Sequence, residues 1–306
     1  MSLNIDQFRY ATYFAPRGKK RMQSLGNQVS QRYLLPTDKL IGVIGDAGSG
    51  KSLFIKGMFP GLELTNDDDG INTRPCPLMR DYDRSRFTAH SYHLDARFEL
   101  AFHQAYELVE AIHTALKDNS RVIVEHFDAL YDGLKQNADL LIGIGEEIII
   151  ARPTIFGPEP DELKSIVFNT VHFRRMAHTA EDCLVHILED EYRLHIDVHG
   201  DVKHGFILGF TKKPRVSLKV LEKKVRNLLA QNLPVTYRDF EHIQIGPDIT
   251  QHCTGPRTHV KNTNQVEHFR ILDQWIFDDN LQVYQLVGLV SKEVIHDIHR
   301  INHYAD

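Results

Sequence analysis

The segment Gly45-Asp46-Ala47-Gly48-Ser49-Gly50-Lys51-Ser52 has the spacing G-x-x-x-x-G-K-[ST]. Glycines so placed let successive backbone N–H groups curl around phosphate oxygens with no Cβ in the way. Lys51 is positioned to neutralise β- and γ-phosphates, and the Ser52 hydroxyl to hold Mg²⁺. This loop chemistry is the binding of a nucleoside triphosphate, ATP or GTP, with its Mg²⁺. A helix starting at the loop would add its positive N-terminal end.

Such a loop has to lie between a buried strand and a helix. Leu40–Ile44 is a short apolar run of the kind a buried parallel strand shows, and the spacing predicts a helix over Ser52–Met58. Leu62–Thr65 reads as a second strand entering the acidic turn Asn66-Asp67-Asp68-Asp69-Gly70. Ala96–Leu116 has helical spacing, while Arg121–Glu125, Leu140–Ile144 and Ile148–Ala151 read as strands. Strands alternating with helices predict an α/β domain, a mostly parallel sheet with helices on both faces. The first forty residues are basic and aromatic without a clear period.

The proline-rich segment Pro153–Pro160 reads as a junction, so the expected division is 1–157 and 158–306. Beyond it the pattern predicts a helix over Asp161–Glu191 and strands near Arg193–Val198 and Gly205–Phe210. A helix over Pro214–Asn232 follows, with Leu218, Leu221, Val225, Leu228 and Leu229 on one face. Val235–Tyr237, Ile243–Ile245, Phe269–Leu272 and Val283–Val290 read as further strands before a closing helix. The second half is therefore expected to be α+β.

A chain of 306 residues is long for one core. Its net charge of -5 argues against broad attraction to nucleic acid, although 36 Lys and Arg leave room for a local basic face. No stretch approaches the ~20 consecutive apolar residues that span a bilayer, and the opening MSLNIDQFRY lacks the apolar core of a secretory signal. Three cysteines do not make a disulfide framework, so a cytoplasmic protein with no membrane partner is expected. With 18 histidines, an isolated one carries no argument.

Four segments of the first half, IGVIGDAGSGKS, TNDDDG, HLDARFELAF and RVIVEHFDALYD, resemble the uridine-kinase branch of the P-loop nucleoside kinases. The resemblance implies a kinase or NTPase in which an acidic residue after the second strand, here Asp67 or Asp68, acts as base on the phosphoryl acceptor. It also implies that Glu125, at the end of the strand beside the loop, supports Mg²⁺ or its waters. No arginine-rich lid precedes the second domain, which leaves the acceptor open.

The second half resembles the editing domain of alanyl-tRNA synthetase, its second additional domain, which is related to the threonyl counterpart. The matching elements are RRMAHTAEDCL (174–184), VSLKVLEKKVRNLLAQNLPV (216–235), CTGPRTHVKNT (253–263) and VEHFRIL (266–272). The resemblance covers about Phe168 to Leu272 and implies a zinc site built from His178, Asp182, Cys253 and His259. Residues four apart on a helix share a face, which lets His178 and Asp182 converge on one ion. Two departures stand out: aspartate at 182 replaces the family's histidine, and two extra residues separate Cys253 from His259. Aspartate remains an acceptable zinc ligand, and His186 and Cys183 are alternatives nearby. The resemblance further implies a small polar or aminoacyl substrate and tRNA as partner, with Arg174, Arg175, Lys212, Lys213, Arg215 and Lys261 available to phosphates. Three functions follow: a P-loop kinase or NTPase, a free-standing aminoacyl-tRNA or aminoacyl-ester deacylase, or a nucleotide-dependent regulatory binding module.

Overall fold

The computed structural model describes residues 10–65 and 75–291. Asp67 and Asp68, and the closing helix expected near the end, lie outside the described residues. The chain forms two compact units, one of Met1–Ala15 with Lys19–Asn169, the other of Pro16–Gly18 with Thr170–Asp306. The division thus falls after Asn169, within a helix, and not in the proline-rich segment.

The first unit runs β1 (Tyr10–Phe14), α1 (Lys19–Tyr33), β2 (Leu40–Gly45), α2 (Lys51–Met58), α3 (Pro77–Asp83), β3 (Ser91–Asp95), α4 (Ala96–Glu99) and α5 (Ala105–Lys117). It continues through β4 (Arg121–Glu125), α6 (Tyr131–Leu134), β5 (Leu140–Ile144) and β6 (Glu147–Ala151) into α7 (Pro160–Asp190). Its sheet has the order β1-β6-β5-β2-β4-β3. The four strands β5, β2, β4 and β3 are parallel, while β6 and β1 add antiparallel pairings at one edge. The sheet is therefore mixed.

Alternation along the strands sends side chains to both faces, and both are covered. Leu40, Ile44, Val122, Val124 and Leu141 share a core with Leu78 and Met79 of α3 and Leu108, Ala111 and Ile112 of α5. Ile41, Val43, Ile123, Leu140 and Ile142 pack with Met22, Leu25 and Val29 of α1 and Phe54, Ile55 and Met58 of α2. Burial on both sides accounts for the unbroken apolar runs at β2, β4 and β5.

Some local expectations differ. Leu62–Thr65 forms no strand: only Leu64 and Thr65 are buried, and the Thr65 N–H donates to the His93 ring in place of a ladder carbonyl. The strand beside β4 is β3, whose buried His93 hides it from a reading of apolar runs. The helix expected over Ala96–Leu116 is broken, because the Glu107 carboxylate accepts the Gln104 N–H at 2.8 Å and restarts it as α5. In α1, Met22, Leu25, Gly26 and Val29 do form a buried stripe, too thin to stand out in a basic segment.

In the second unit the rest of α7 is followed by β7 (Val198–Val202), β8 (Gly205–Phe210), α8 (Leu218–Leu229), β9 (Val235–Asp239), β10 (His242–Ile245) and β11 (Ile249–His252). Then come β12 (Arg270–Ile271), β13 (Ile276–Asp278) and β14 (Val283–Leu289). Two antiparallel sheets result, β11-β10-β9 and β12-β14-β8-β7, with β13 also on β14. Ala177, Ala180, Leu184 and Leu188 of α7 meet Leu221 and Val225 of α8, Phe206 and Leu208 of β8, and Ile243 and Ile245 of β10 in one core. No helix among the described residues is long and apolar enough to cross a membrane.

Candidate functional site

Each unit concentrates chemistry at one place. In the first, β2 ends at Gly45 and α2 starts at Lys51. The chain between them turns through left-handed backbone at Gly48 (φ 72°) and Gly50 (φ 93°), a conformation that costs an L-residue about 1–2 kcal/mol. Gly50 is the N-cap of α2 and brings no capping side chain, so none competes with an anion there. Lys51 lies back across the loop, donating from Nζ to the Asp46 carbonyl at 3.1 Å.

The parallel register places Glu125 beside Val43 on β2 and Asp95 on β3 beside Glu125. Glu125 is 2% exposed. Its Oε1 accepts from Ser52 Oγ at 3.0 Å, and its Oε2 lies 3.9 Å from Lys51 Nζ. Oε1 also meets His93 Nε2 at 3.1 Å. Because the Thr65 N–H donates to His93 Nδ1 at 3.1 Å, the ring proton is on Nε2 and is given to Glu125. Burial opposes ionisation of Glu125, but His93, Lys51 and Ser52 outweigh it and hold the carboxyl below the usual carboxylate range. A hard oxygen donor pair, the Ser52 hydroxyl and an ionised Glu125, is the chemistry a hydrated Mg²⁺ takes.

His126 follows Glu125 with φ 56°. It is buried, and its ring makes no hydrogen bond to a described residue. Burial, then the charge of Lys51, push its pKa below the ordinary histidine value, with Asp95, Glu125 and Asp128 opposing. Asp95 caps α4, its Oδ1 accepting the Phe98 N–H at 3.1 Å.

In the second unit α7 presents His178 and Asp182, and the chain after β11 brings Cys253 and His259 to them. One ligand atom from each lies within 4.8 Å of the others. Cys253 Sγ is 3.4 Å from His178 Nε2 and 3.3 Å from His259 Nε2. Asp182 Oδ2 is 4.0 Å and 3.6 Å from the same two nitrogens. A tetrahedral shell at ordinary Zn–N, Zn–O and Zn–S bond lengths needs about 3.3–3.6 Å between donor atoms, so the four groups fit with small adjustments. Asp182 Oδ2 is buried and accepts no hydrogen bond, an arrangement a cation would resolve.

The surroundings fix both imidazoles. His178 Nδ1 faces the Thr258 carbonyl at 3.1 Å, which can only accept, so Nδ1 carries the proton and the Nε2 lone pair points inward. The Thr179 hydroxyl spends its proton on the Arg175 carbonyl at 2.9 Å and accepts from His259 Nδ1 at 3.3 Å, with the same result. The Gly255 N–H donates to Cys253 Sγ at 3.4 Å. Ligand orientation of this type is the usual outer support of a bound metal. Burial, aided by Arg17, keeps the rings neutral, with His259 at about 3 and His178 well below its ordinary value. Burial and neighbouring acids push Asp182 and Cys253 upward. Beside the cluster, Arg17 is paired with Glu181 at 2.9 Å and Asp201 at 3.0 Å, and His199 Nδ1 meets Glu181 at 2.8 Å.

The loop Gly45, Asp46, Ala47, Gly48, Ser49, Gly50, Lys51 and Ser52 is thus brought to Glu125, and the four expected ligands are brought to one another. Asp67 and Asp68 lie outside the described residues. Cys183 belongs to the apolar core, and burial drives its thiol upward. Arg174, read above as open to phosphates, is instead buried and donates to the Pro16 carbonyl at 2.6 Å. Sequence reading missed His93, Asp95, His126, Thr179 and Thr258. For His93 and Asp95 the only signal was a buried position within or ending a strand, and His126, Thr179 and Thr258 gave none. Compared with models of known protein families and with curated proteins, the sequence matches none.

Proposed function

We propose that the chain is a P-loop protein that binds Mg·ATP or Mg·GTP at Gly45–Ser52 and turns it over, as an NTPase or phosphotransferase. We further propose that its second unit is an editing-type domain holding zinc at His178, Asp182, Cys253 and His259. The observation that carries the nucleotide reading is the buried contact of Ser52 and Lys51 with Glu125 directly behind a capless, glycine-turned loop. Mg²⁺ held by Ser52, with Glu125 behind it, would offset the charge that develops on the transferred phosphoryl group. Lys51 would leave the Asp46 carbonyl for the phosphates, and the loop N–H groups would fix them in line.

The test is binding of a fluorescent ATP or GTP analogue to wild type and Lys51→Ala, followed by phosphate release with and without Mg²⁺. Mg²⁺-dependent binding that Lys51→Ala abolishes is expected. Equal binding by the variant, or none by wild type, overturns the reading.

A second reading, deacylation of an aminoacyl-tRNA or aminoacyl ester, is favoured by the four-ligand cluster itself. Zinc there would polarise a carbonyl or recognise an amino group. Four protein ligands fill a tetrahedral shell, the pattern of a structural or recognition site, whereas hydrolytic zinc keeps a position for water. Zinc-dependent deacylation that survives Lys51→Ala would make this the main activity.

A further inference from the structure

The parallel register sets out in rows the side chains on the sheet face that α1 and α2 cover. One row runs Leu140, Ile41, Ile123 and His93, across β5, β2, β4 and β3. The next, one step toward the phosphate loop, runs Ile142, Val43, Glu125 and Asp95. Leu140, Ile41 and Ile123 are apolar and wholly buried, so a valine or isoleucine would complete their row. His93 stands there instead, 1% exposed and diagonal to Glu125 on the same face.

An imidazole buried so deeply needs partners for both nitrogens. Nδ1 accepts the Thr65 N–H at 3.1 Å and lies 3.2 Å from Thr65 Oγ1. Thr65 is itself fixed, since its Oγ1 accepts the Asp95 N–H at 3.3 Å. Nε2 donates to Glu125 Oε1 at 3.1 Å, the same oxygen that accepts from Ser52 Oγ at 3.0 Å. Both donors thus fall on one oxygen. Oε2 hydrogen-bonds to none of the described residues and has Lys51 Nζ at 3.9 Å. The end torsion of a glutamate is broad, so a carboxylate held by one donor can swing. A second donor, on a ring clamped at its far side, stops it.

We infer that His93 is a positioning residue of the nucleotide site, its clamped imidazole fixing the Glu125 carboxylate with Oε2 turned to Lys51 and the cation; this rests on the nucleotide reading above. His93 touches neither nucleotide nor ion. It acts through Glu125, and so governs how tightly Mg²⁺ is taken with the nucleotide, not the nucleotide's own contacts with the loop. Ser52 cannot do this alone, because its hydroxyl oxygen is also the group offered to Mg²⁺.

The experiment uses the full chain as wild type, His93→Leu and His93→Gln, with binding of the fluorescent ATP or GTP analogue titrated by Mg²⁺. Leucine fills the space and removes the N–H, whereas glutamine keeps one at a similar reach. In His93→Leu the Mg²⁺ concentration for half-maximal binding should rise roughly tenfold, the lower end of what loss of an outer partner costs a metal site. At saturating Mg²⁺ this variant should bind to the same extent as wild type, and His93→Gln should bring the midpoint back toward the wild-type value. A merely structural loss would lower the bound fraction and leave the midpoint in place. In ¹⁵N-histidine spectra of wild type, the resonance missing from His93→Gln should show its proton on Nε2 and shift on adding Mg²⁺ with ADP.

An unmoved midpoint in His93→Leu, no recovery in His93→Gln, a ring proton on Nδ1 or an unshifted resonance overturns the inference. The spectra decide it even where His93→Leu does not fold. A wild type that takes no nucleotide with Mg²⁺ sinks the underlying reading and this inference with it. An unmoved midpoint beside a wild type that binds sinks this inference alone.

Discussion

Ser52 and His93 both donate to Glu125 Oε1, and the Lys51 ammonium lies 3.9 Å from Oε2, within a site that is nearly dry. An amide oxygen can keep both of these bonds, but Glu125→Gln removes the charge and turns an NH₂ toward Lys51, which is left buried and uncompensated. A loss of roughly 1–3 kcal/mol in urea unfolding is expected, together with weaker Mg²⁺-dependent nucleotide binding. A variant as stable as wild type would show that these contacts do not hold the site. In the second unit, Cys253→Ala removes the sulfur that touches both imidazoles. Metal analysis of purified protein should give about one zinc per chain for wild type and none for Cys253→Ala or His178→Ala. Lys51 and Ser52 were legible because a loop of set length fixes their spacing, whereas the ligand quartet was legible only through the resemblance to the synthetase editing domain, which one helical turn between His178 and Asp182 accommodates. His93, Thr179 and Thr258 were not, since each acts through a partner far along the chain and has no local signature.

At the scale of elements, α1 and α2 cross closely because of glycine. A Cβ on Gly57 would lie 2.1 Å from the Gln23 carbonyl oxygen, a backbone atom that cannot turn aside. Gly57→Ala should therefore destabilise by roughly 2–3 kcal/mol and, by displacing α2, weaken nucleotide binding, which a thermal shift with and without nucleotide would read. The α3–β3 connection is pinned by Asp81, whose Oδ2 accepts from Thr88 N, Thr88 Oγ1 and Tyr92 OH at 2.9, 2.7 and 2.7 Å. Burial alone would raise its pKa, yet these donors hold it down to about 2. A carboxyl depressed in the folded state stabilises above its unfolded value of about 3.9 and loses that stability as pH falls through the folded value. Unfolding free energy should drop by roughly 2 kcal/mol between pH 5 and pH 2 on this account, and Asp81→Asn should flatten that part of the curve. The buried strands β2, β4 and β5 could be read from apolar runs, as could α8 from its one-sided stripe. The thin stripe of α1, the histidine-bearing β3 and the short strand β13 could not, because tertiary contacts stabilise them where composition does not.

The whole molecule carries two chemistries in two units of different class, an α/β unit with the loop and an α+β unit with the ligand cluster. Lys51→Ala should therefore abolish nucleotide binding with zinc content unchanged, and Cys253→Ala should do the reverse. A variant that lost both would show that one unit depends on the other. The two units differ in their sheets, one mixed and six-stranded, the other a pair of antiparallel sheets. The position of the division was not legible in the sequence, since α7 runs on from Pro160 to Asp190 and a helix has no sequence mark where contacts change hands.

The ligand quartet also sets a timetable. His178 is made 75 residues before Cys253, and at about 5–20 residues per second the gap during synthesis is roughly 4–15 seconds. Through that interval the helix half of the site has neither its sulfur nor its second imidazole, and no ion can be fully enclosed. On the zinc reading, metal capture and completion of the ligand set become one event once His259 has been made. Cells short of zinc would then hold less of this protein, removed before it matures, and not merely a less active form of it.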